Sequence, residues 1–263
     1  MLEVSIKKSL LDVDVVYFAD KIKEDKISSD VVHYIYSSKS LPGARKVHTL
    51  CIDLSKDIDT IFKEMDRNAR YHINKSEKTD TLRYSIQFSP SNEDVEGFGE
   101  FYNVFASNKC IGNFETELIK KIHEKNALVI SRMMDEENNT LCLHAYIVDD
   151  KITLCKYSAS HFRLSNSKEF RMLVGRANRL LHWMDMQSFK EKGYQVYDFG
   201  GLYMCKNNEK LNNVDRFKLE FGGTIVPKYS FYMGRNMIGS LALKMANKQH
   251  SIKFASSIGI TEK

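Results

Sequence analysis

Apolar and β-branched residues cluster over 11–19 (Val13, Val15, Val16, Tyr17) and 31–38 (Val31, Val32, Tyr34, Ile35, Tyr36), which predicts two strands. Leu41-Pro42-Gly43 then marks a turn, and a third strand is expected over 46–53. The spacing becomes helical after that. Ser55 is the expected N-cap of one helix over 56–77, with Ile58, Ile61, Phe62, Met65, Ala69 and Ile73 on one face. Its other face carries Lys63, Arg67, Arg70 and Asn74. A short strand over 82–88 ends at Ser89-Pro90, the best candidate boundary in the chain.

Beyond it, helices are predicted over 92–106 and 114–125, separated by Gly112-Asn113. Strands over 127–134, 140–148 and 151–158 follow, the last two joined by a tight turn at Asp149-Asp150. The strongest helical signal spans 167–190, with Asn166 as cap, Glu169 in a capping-box position and a stripe of Phe170, Leu173, Val174, Ala177, Leu180, Leu181 and Met184. Gly193 is placed to stop it. A buried strand over 194–199, a short helix over 213–220, a strand over 224–232 and a helix over 236–247 complete the chain. Such an order predicts an α/β protein, a mixed and largely antiparallel sheet flanked by helices. It divides into an abbreviated lobe over 1–90, a core over 91–250 and a tail over 251–263.

Composition narrows the classes. The 263 residues include 39 Lys or Arg against 34 Asp or Glu, a net charge of +5 that favours anionic ligands without naming nucleic acid. No window approaches the roughly 20 apolar residues of a membrane span, and the N-terminus opens without an apolar run, so a cytoplasmic protein is expected. Cys51, Cys110, Cys142, Cys155 and Cys205 are scattered and never paired as C-x-x-C, which argues against a disulfide framework or a metal site.

Asp198-Phe199-Gly200-Gly201 looks superficially like the metal-binding turn of a protein kinase, but no phosphate loop, strand lysine or catalytic loop accompanies it. Two glycines after a buried strand instead let the backbone approach a ligand or another chain segment closely. Tyr197-Asp198-Phe199-Gly200-Gly201, followed by Phe217-Lys218-x-x-Phe221-Gly222-Gly223, resembles the C-terminal signature of the Fem-type aminoacyltransferases within the GNAT acyltransferase superfamily. The stretch Asp66 to Glu77 is similar to that group's basic N-terminal helix, and Leu50 to Ser55 to the strand leading into it.

The resemblance implies a GNAT core in which two neighbouring parallel strands, here 151–158 and 194–199, splay apart to receive an acyl donor. It implies direct attack of an amine on a thioester or ester carbonyl, the amine belonging to a sugar, nucleotide-sugar or cell-envelope precursor. Lys218, Asp198 and Tyr203 are the expected catalytic residues, and Arg67, Arg70, Lys75, Phe217, Gly200 and Gly201 the expected substrate-binding ones. Acyl-coenzyme A is the expected donor, its pyrophosphate held by Arg171, Gly175, Arg176 and Ala177, where the acetyltransferase pattern is matched except that the Arg sits one residue early. That segment also reads as helix interior, with Gly175 as a packing position. An aminoacyl-tRNA donor is the alternative, and a non-catalytic binding module another. His161 and His182 are candidates for a general base, though lone histidines are more often structural.

Overall fold

The computed structural model describes residues 1–22, 29–109, 111–163, 167–204 and 209–248. The expected cap Asn166, the tail over 251–263, Cys110 and Cys205 lie outside them. Four strands come first, β1 (Leu2–Lys8), β2 (Leu11–Tyr17), β3 (Val31–Ser37) and β4 (Arg45–Asp53). Helices α1 (Ile58–Glu64) and α2 (Arg67–Thr79), strand β5 (Arg83–Gln87), and helices α3 (Asn92–Lys109) and α4 (Thr116–Glu124) follow. Then come β6 (Leu128–Met134), β7 (Thr140–Asp149), β8 (Ile152–Ser160), α5 (Lys168–Glu191) and β9 (Val196–Leu202). Helix α6 (Glu209–Leu219), strand β10 (Thr224–Gly234) and helix α7 (Met237–Lys248) are last. The fold class is α/β, mixed and largely antiparallel, as the alternation of patterns predicts.

The chain forms two compact units, one of residues 1–47, 109–127 and 227–263, the other of 48–108 and 128–226. In the first, β1 pairs antiparallel with β2, β2 parallel with β3, and β3 antiparallel with β10. Val16, Ala19, Val32, Tyr34 and Phe231 form its buried cluster. The strand β1 was not anticipated from sequence, although Leu2, Val4 and Ile6 alternate as a half-buried strand requires.

In the second unit the strand order is β4-β9-β8-β7-β6-β5, all neighbours antiparallel except β8 and β9. Ser89-Pro90 lies within this unit. Strand β7 is buried on both faces over Leu141–Val148 and so reads as a continuous apolar run. Ile61, Met65, Ala69 and Ile73 join Val174, Ala177, Leu181 and Phe189 of α5 in one core with Leu50, Tyr146 and Tyr197. Each fully buried Leu, Ile or Phe there contributes about 1.5–3 kcal/mol.

The single helix expected over 56–77 is two helices. Met65 and Asp66 are extended (ψ 152° and 164°), and Asp66 caps α2 by accepting from the Ala69 N–H at 2.9 Å. The first helix is capped by Asp57 rather than Ser55, through the Thr60 N–H. Helix α5 is capped by Ser167, which accepts from the Phe170 N–H at 3.2 Å.

Candidate active site

Strands β8 and β9 pair in parallel through only three positions, Ile152 with Val196, Thr153 with Tyr197 and Leu154 with Asp198. Beyond these both strands continue, β8 to Ser160 and β9 to Leu202, without pairing to each other. The register of β8 against β7 shifts at the same level, where Tyr146 faces Cys155 and Ala145 faces Tyr157. A bulge at that point adds twist and turns the strand away from its neighbour. The sequence-expected pair of splayed strands is therefore present, and it makes an opening in the sheet.

The opened half of β9 is shaped by Asp198. Its buried carboxylate accepts from the Gly200 N–H at 2.7 Å, and Gly200 adopts φ +77°. Only glycine takes that conformation without a steric penalty. Gly201, expected to share the role, is not among the left-handed residues. Its carbonyl instead accepts from Lys218 Nζ at 2.8 Å, a bond that carries the α6 side chain to the opened strand. Burial pushes the Lys218 ammonium below the usual lysine range, against the opposing pull of Cys155, Asp198 and Asp215. Burial likewise pushes the Cys155 thiol up to about 12, so it is no nucleophile at neutral pH.

Asp215 on α6 ties the exit of β9, accepting from the N–H groups of Tyr203 (3.0 Å) and Met204 (2.8 Å). The Tyr203 side chain is 50% exposed. Phe217 and Phe221 pack with Phe199 around His182, whose protonation burial strongly disfavours, aided by His144 and Lys218. The signature thus brings Asp198, Gly200, Gly201, Tyr203, Phe217 and Lys218 into one neighbourhood. Its last two glycines serve contact of another kind. A Cβ on Gly223 (φ +85°) would lie 2.5 Å from the Cys51 carbonyl oxygen, so the turn after α6 closes directly on β4. Gly223→Ala is expected to cost at least about 2 kcal/mol in urea unfolding, and full stability of that variant would refute the contact.

A second feature lies where α2 and α5 run side by side. His72, Phe162, Lys168, Arg171, Met172, Gly175, Arg176 and Arg179 line a cleft of about 280 Å³. The Arg176 guanidinium is bidentate on Asp80 (2.7 and 2.7 Å), and Arg179 binds Glu220 at 2.6 and 2.9 Å. Burial pushes the Asp80 carboxyl up, but Arg176 and Ser76 outweigh it and hold it below the usual range. The buried His72 Nδ1 has no hydrogen-bond partner, and burial lowers that ring's pKa, Arg179 adding to the effect.

The expected cofactor segment therefore divides. Arg171, Gly175 and Arg176 line the cleft, while Ala177 is fully buried in the core. The segment is not a loop: α5 begins at Lys168, so the amides near Gly175 are spent on helix bonds and do not form a phosphate cradle. Lys168 and Arg179 were missed, though with Arg171 and Gly175 they follow a helical spacing opposite the apolar stripe. On α2, Arg67 is exposed, the Arg70 Nε is buried without a partner, and Lys75 stands 6.0 Å from the Tyr71 ring centre.

Sequence reasoning also missed a polar network inside the core. Asp185 of α5, fully buried, accepts from Tyr84 (2.9 Å), Ser131 (2.9 Å) and Tyr146, with His144 Nδ1 at 2.9 Å. The chain continues from Tyr146 to the Tyr197 hydroxyl at 2.8 Å and on to His182 Nδ1 at 2.7 Å. His182 is held in this network, and His161 stacks on Phe101 at 4.1 Å.

No family model matches the sequence, and no curated protein matches it. Among solved structures, FemX aligns with a TM-score of 0.57 at 13% identity, over 75% of this chain and 63% of that one. This chain thus spans less than two thirds of FemX. L-PGS from Bacillus licheniformis gives a TM-score of 0.56 at 13% identity, over 99% of this chain and 90% of that one. The chain shares its fold with FemX and with L-PGS. A third structure that shares the fold is the C-terminal domain of a protein described as a lysylphosphatidylglycerol synthetase, from Agrobacterium fabrum. Its TM-score is 0.55 at 12% identity, over 93% of this chain and 87% of that one. At such identities the likeness is one of fold alone.

Proposed function

We propose that this chain is an N-acyltransferase that moves an aminoacyl group from the ester of a charged tRNA to an amine of a sugar, nucleotide-sugar or cell-envelope precursor. The observation that carries the reading is the β8–β9 opening with the Lys218 ammonium held beside Gly201. The acceptor nitrogen attacks the ester carbonyl, the amide C–N bond forms, the ester C–O bond breaks, and the amine's proton ends on the released ribose hydroxyl. Negative charge grows on the carbonyl oxygen as this happens, and Lys218 is the cation placed to stabilise it, with Phe217 as an apolar wall. Asp198 and Gly200 set the path of the backbone beside the donor, and Tyr203 is the group offered to the leaving oxygen.

The cleft on α2 and α5 favours a polyanion over coenzyme A. Its four cations, two of them paired with Asp80 and Glu220, lie along one face of α5, as suits the phosphates of a nucleic acid end, while the amides near Gly175 are spent on helix bonds. Arg67, Arg70 and Lys75 extend the basic character along α2. Acyl-coenzyme A is the second reading, supported by the position of the cleft near the start of α5, where Arg171 and Gly175 still stand.

Thermal unfolding separates the two. A donor well above its Kd raises stability by a few kcal/mol, so bulk aminoacyl-tRNA is expected to raise Tm, with an effect that fades steeply as salt rises. A shift with acetyl- or longer acyl-coenzyme A instead would select the second reading, and no shift with any donor would indicate a non-catalytic module. Within the tRNA reading, Arg171→Ala is expected to lower tRNA affinity and to reduce the slope of log K against log salt by about 1. An unchanged slope would remove Arg171 from the phosphate contacts.

A further inference from the structure

The hydrogen bonds of the buried network run in one direction. The Asp185 carboxylate can only accept, and it takes the protons of Tyr84, Ser131 and Tyr146. Tyr146, its own proton spent, accepts from the Tyr197 hydroxyl at 2.8 Å. Tyr197 in turn accepts from His182 Nδ1 at 2.7 Å. This order fixes His182 as the Nδ1–H tautomer, and its Nε2 carries a lone pair that meets no hydrogen-bond partner among the described residues. At the other end Tyr84 and Ser188, both half-buried, stand 3.0 Å apart and bring the chain toward the surface.

The lone pair lies near the fork of β8 and β9. Tyr197 directly precedes Asp198, the last β9 residue paired with β8, and Tyr146 faces Cys155, the first β8 residue beyond that pairing. The His182 ring packs on Phe199 at 4.8 Å and on Phe217 at 5.6 Å. The polar groups that face it are His144 of β7, with ring centres 4.0 Å apart, Tyr197 of β9, Lys218 of α6 and Arg179 of its own helix. Burial, His144, Lys218 and Arg179 all oppose an imidazolium there. A proton that arrives at Nε2 is therefore driven out through Nδ1.

Amide formation leaves one proton over. An acceptor that enters as an ammonium sheds two protons on becoming an amide nitrogen, and the released ribose hydroxyl takes only one. Lys218 acts as a cation, and the Cys155 thiol, pushed up to about 12, already holds its proton, so neither takes the other.

We propose that the network is the proton exit of the transfer site, with His182 Nε2 as its entrance and Asp185 as its internal acceptor. As the N–H bond forms at Nε2, the Nδ1 proton passes to Tyr197, the Tyr197 proton to Tyr146 and the Tyr146 proton to Asp185. The imidazole ends neutral as the other tautomer and the carboxylate ends as the acid, which discharges to water on the side of Tyr84 and Ser188. The role as an exit rests on the transferase reading, and the directed chain of donors does not.

Two measurements test it. Nitrogen NMR of the histidine rings in the full chain, with no substrate, is expected to show His182 as the Nδ1–H tautomer at neutral pH. The second uses bulk aminoacyl-tRNA as donor and glucosamine as acceptor. Tyr197→Phe keeps the ring and cuts the chain, and is expected to lower kcat about a hundredfold with KM little changed. In mixtures of light and heavy water the parent's kcat should fall along a curve, as several protons move together, and that of Tyr197→Phe along a line. Ser131→Ala removes a hydrogen bond to the same carboxylate from outside the chain and should keep parental kcat and the curve. A parent His182 found as Nε2–H or as imidazolium, or a Tyr197→Phe protein with parental kcat and curve, overturns the exit alone. No turnover by the parent overturns the transferase reading and the exit with it.

Discussion

Replacing Lys218 by Met is expected to lower kcat for amide formation by about a hundredfold or more, with KM and Tm little changed. On the proposed mechanism the ammonium acts on charge that exists only in the transition state, so its loss should appear in kcat, and Met keeps most of the volume. Turnover close to that of the parent would remove Lys218 from the mechanism. The pH dependence gives a second check with a defined sign. Burial lowers the Lys218 pKa in the folded chain, so the cation is lost below the ordinary lysine value near 10.4. Activity should therefore fall as pH rises through that lowered pKa. Over the window between the folded and unfolded values the unfolded chain binds more protons, so this group's contribution to stability rises with pH. Lys218→Met should abolish both slopes, which a merely structural lysine would not link.

The largest stability effect is expected at Asp185. Its carboxylate is the shared acceptor for Tyr84, Ser131 and Tyr146 and contacts His144, all inside the core. Asp185→Ala removes the acceptor these groups share and leaves a void in the core, and should cost about 3–5 kcal/mol in urea unfolding. Tyr84→Phe removes one donor and leaves the acceptor otherwise satisfied, so it should cost only about 1 kcal/mol. Equal costs for the two would show that the network is not centred on Asp185.

That network marks the limit of what the sequence reveals. The long helix α5 was legible because apolar periodicity persists over many residues, and the glycine signature because its spacing is local, while the splay of two strands was implied only by the resemblance that signature carries. Asp185 stands four residues after Leu181, on the same buried face, but a charge beside Met184 and Met186 reads as an interruption of the stripe. Its partners come from β5, β6 and β7, and only the tertiary fold aligns them. The break at Met65-Asp66 was hidden for the opposite reason. Ile61, Met65 and Ala69 keep helical spacing across it, while the Asp66 N–H donates to the Glu220 carbonyl at 2.9 Å, a partner more than 150 residues away in sequence. Lys168 and Arg179 were legible in principle, as the basic face of a helix, once the 171–177 segment is read as helix and not as a loop.

The opening between β8 and β9 has banks that are each secured from outside. Strand β8 stays paired with β7 from Ile152 to Ser160, and β9 with β4 from Val196 to Leu202, so each opened half keeps a hydrogen-bonded neighbour on its far edge. The wedge is thus part of the resting architecture, and a donor entering it need not wait for strands to part. On the proposed reading, donor capture should be governed by encounter and orientation, with no strand-opening step ahead of it.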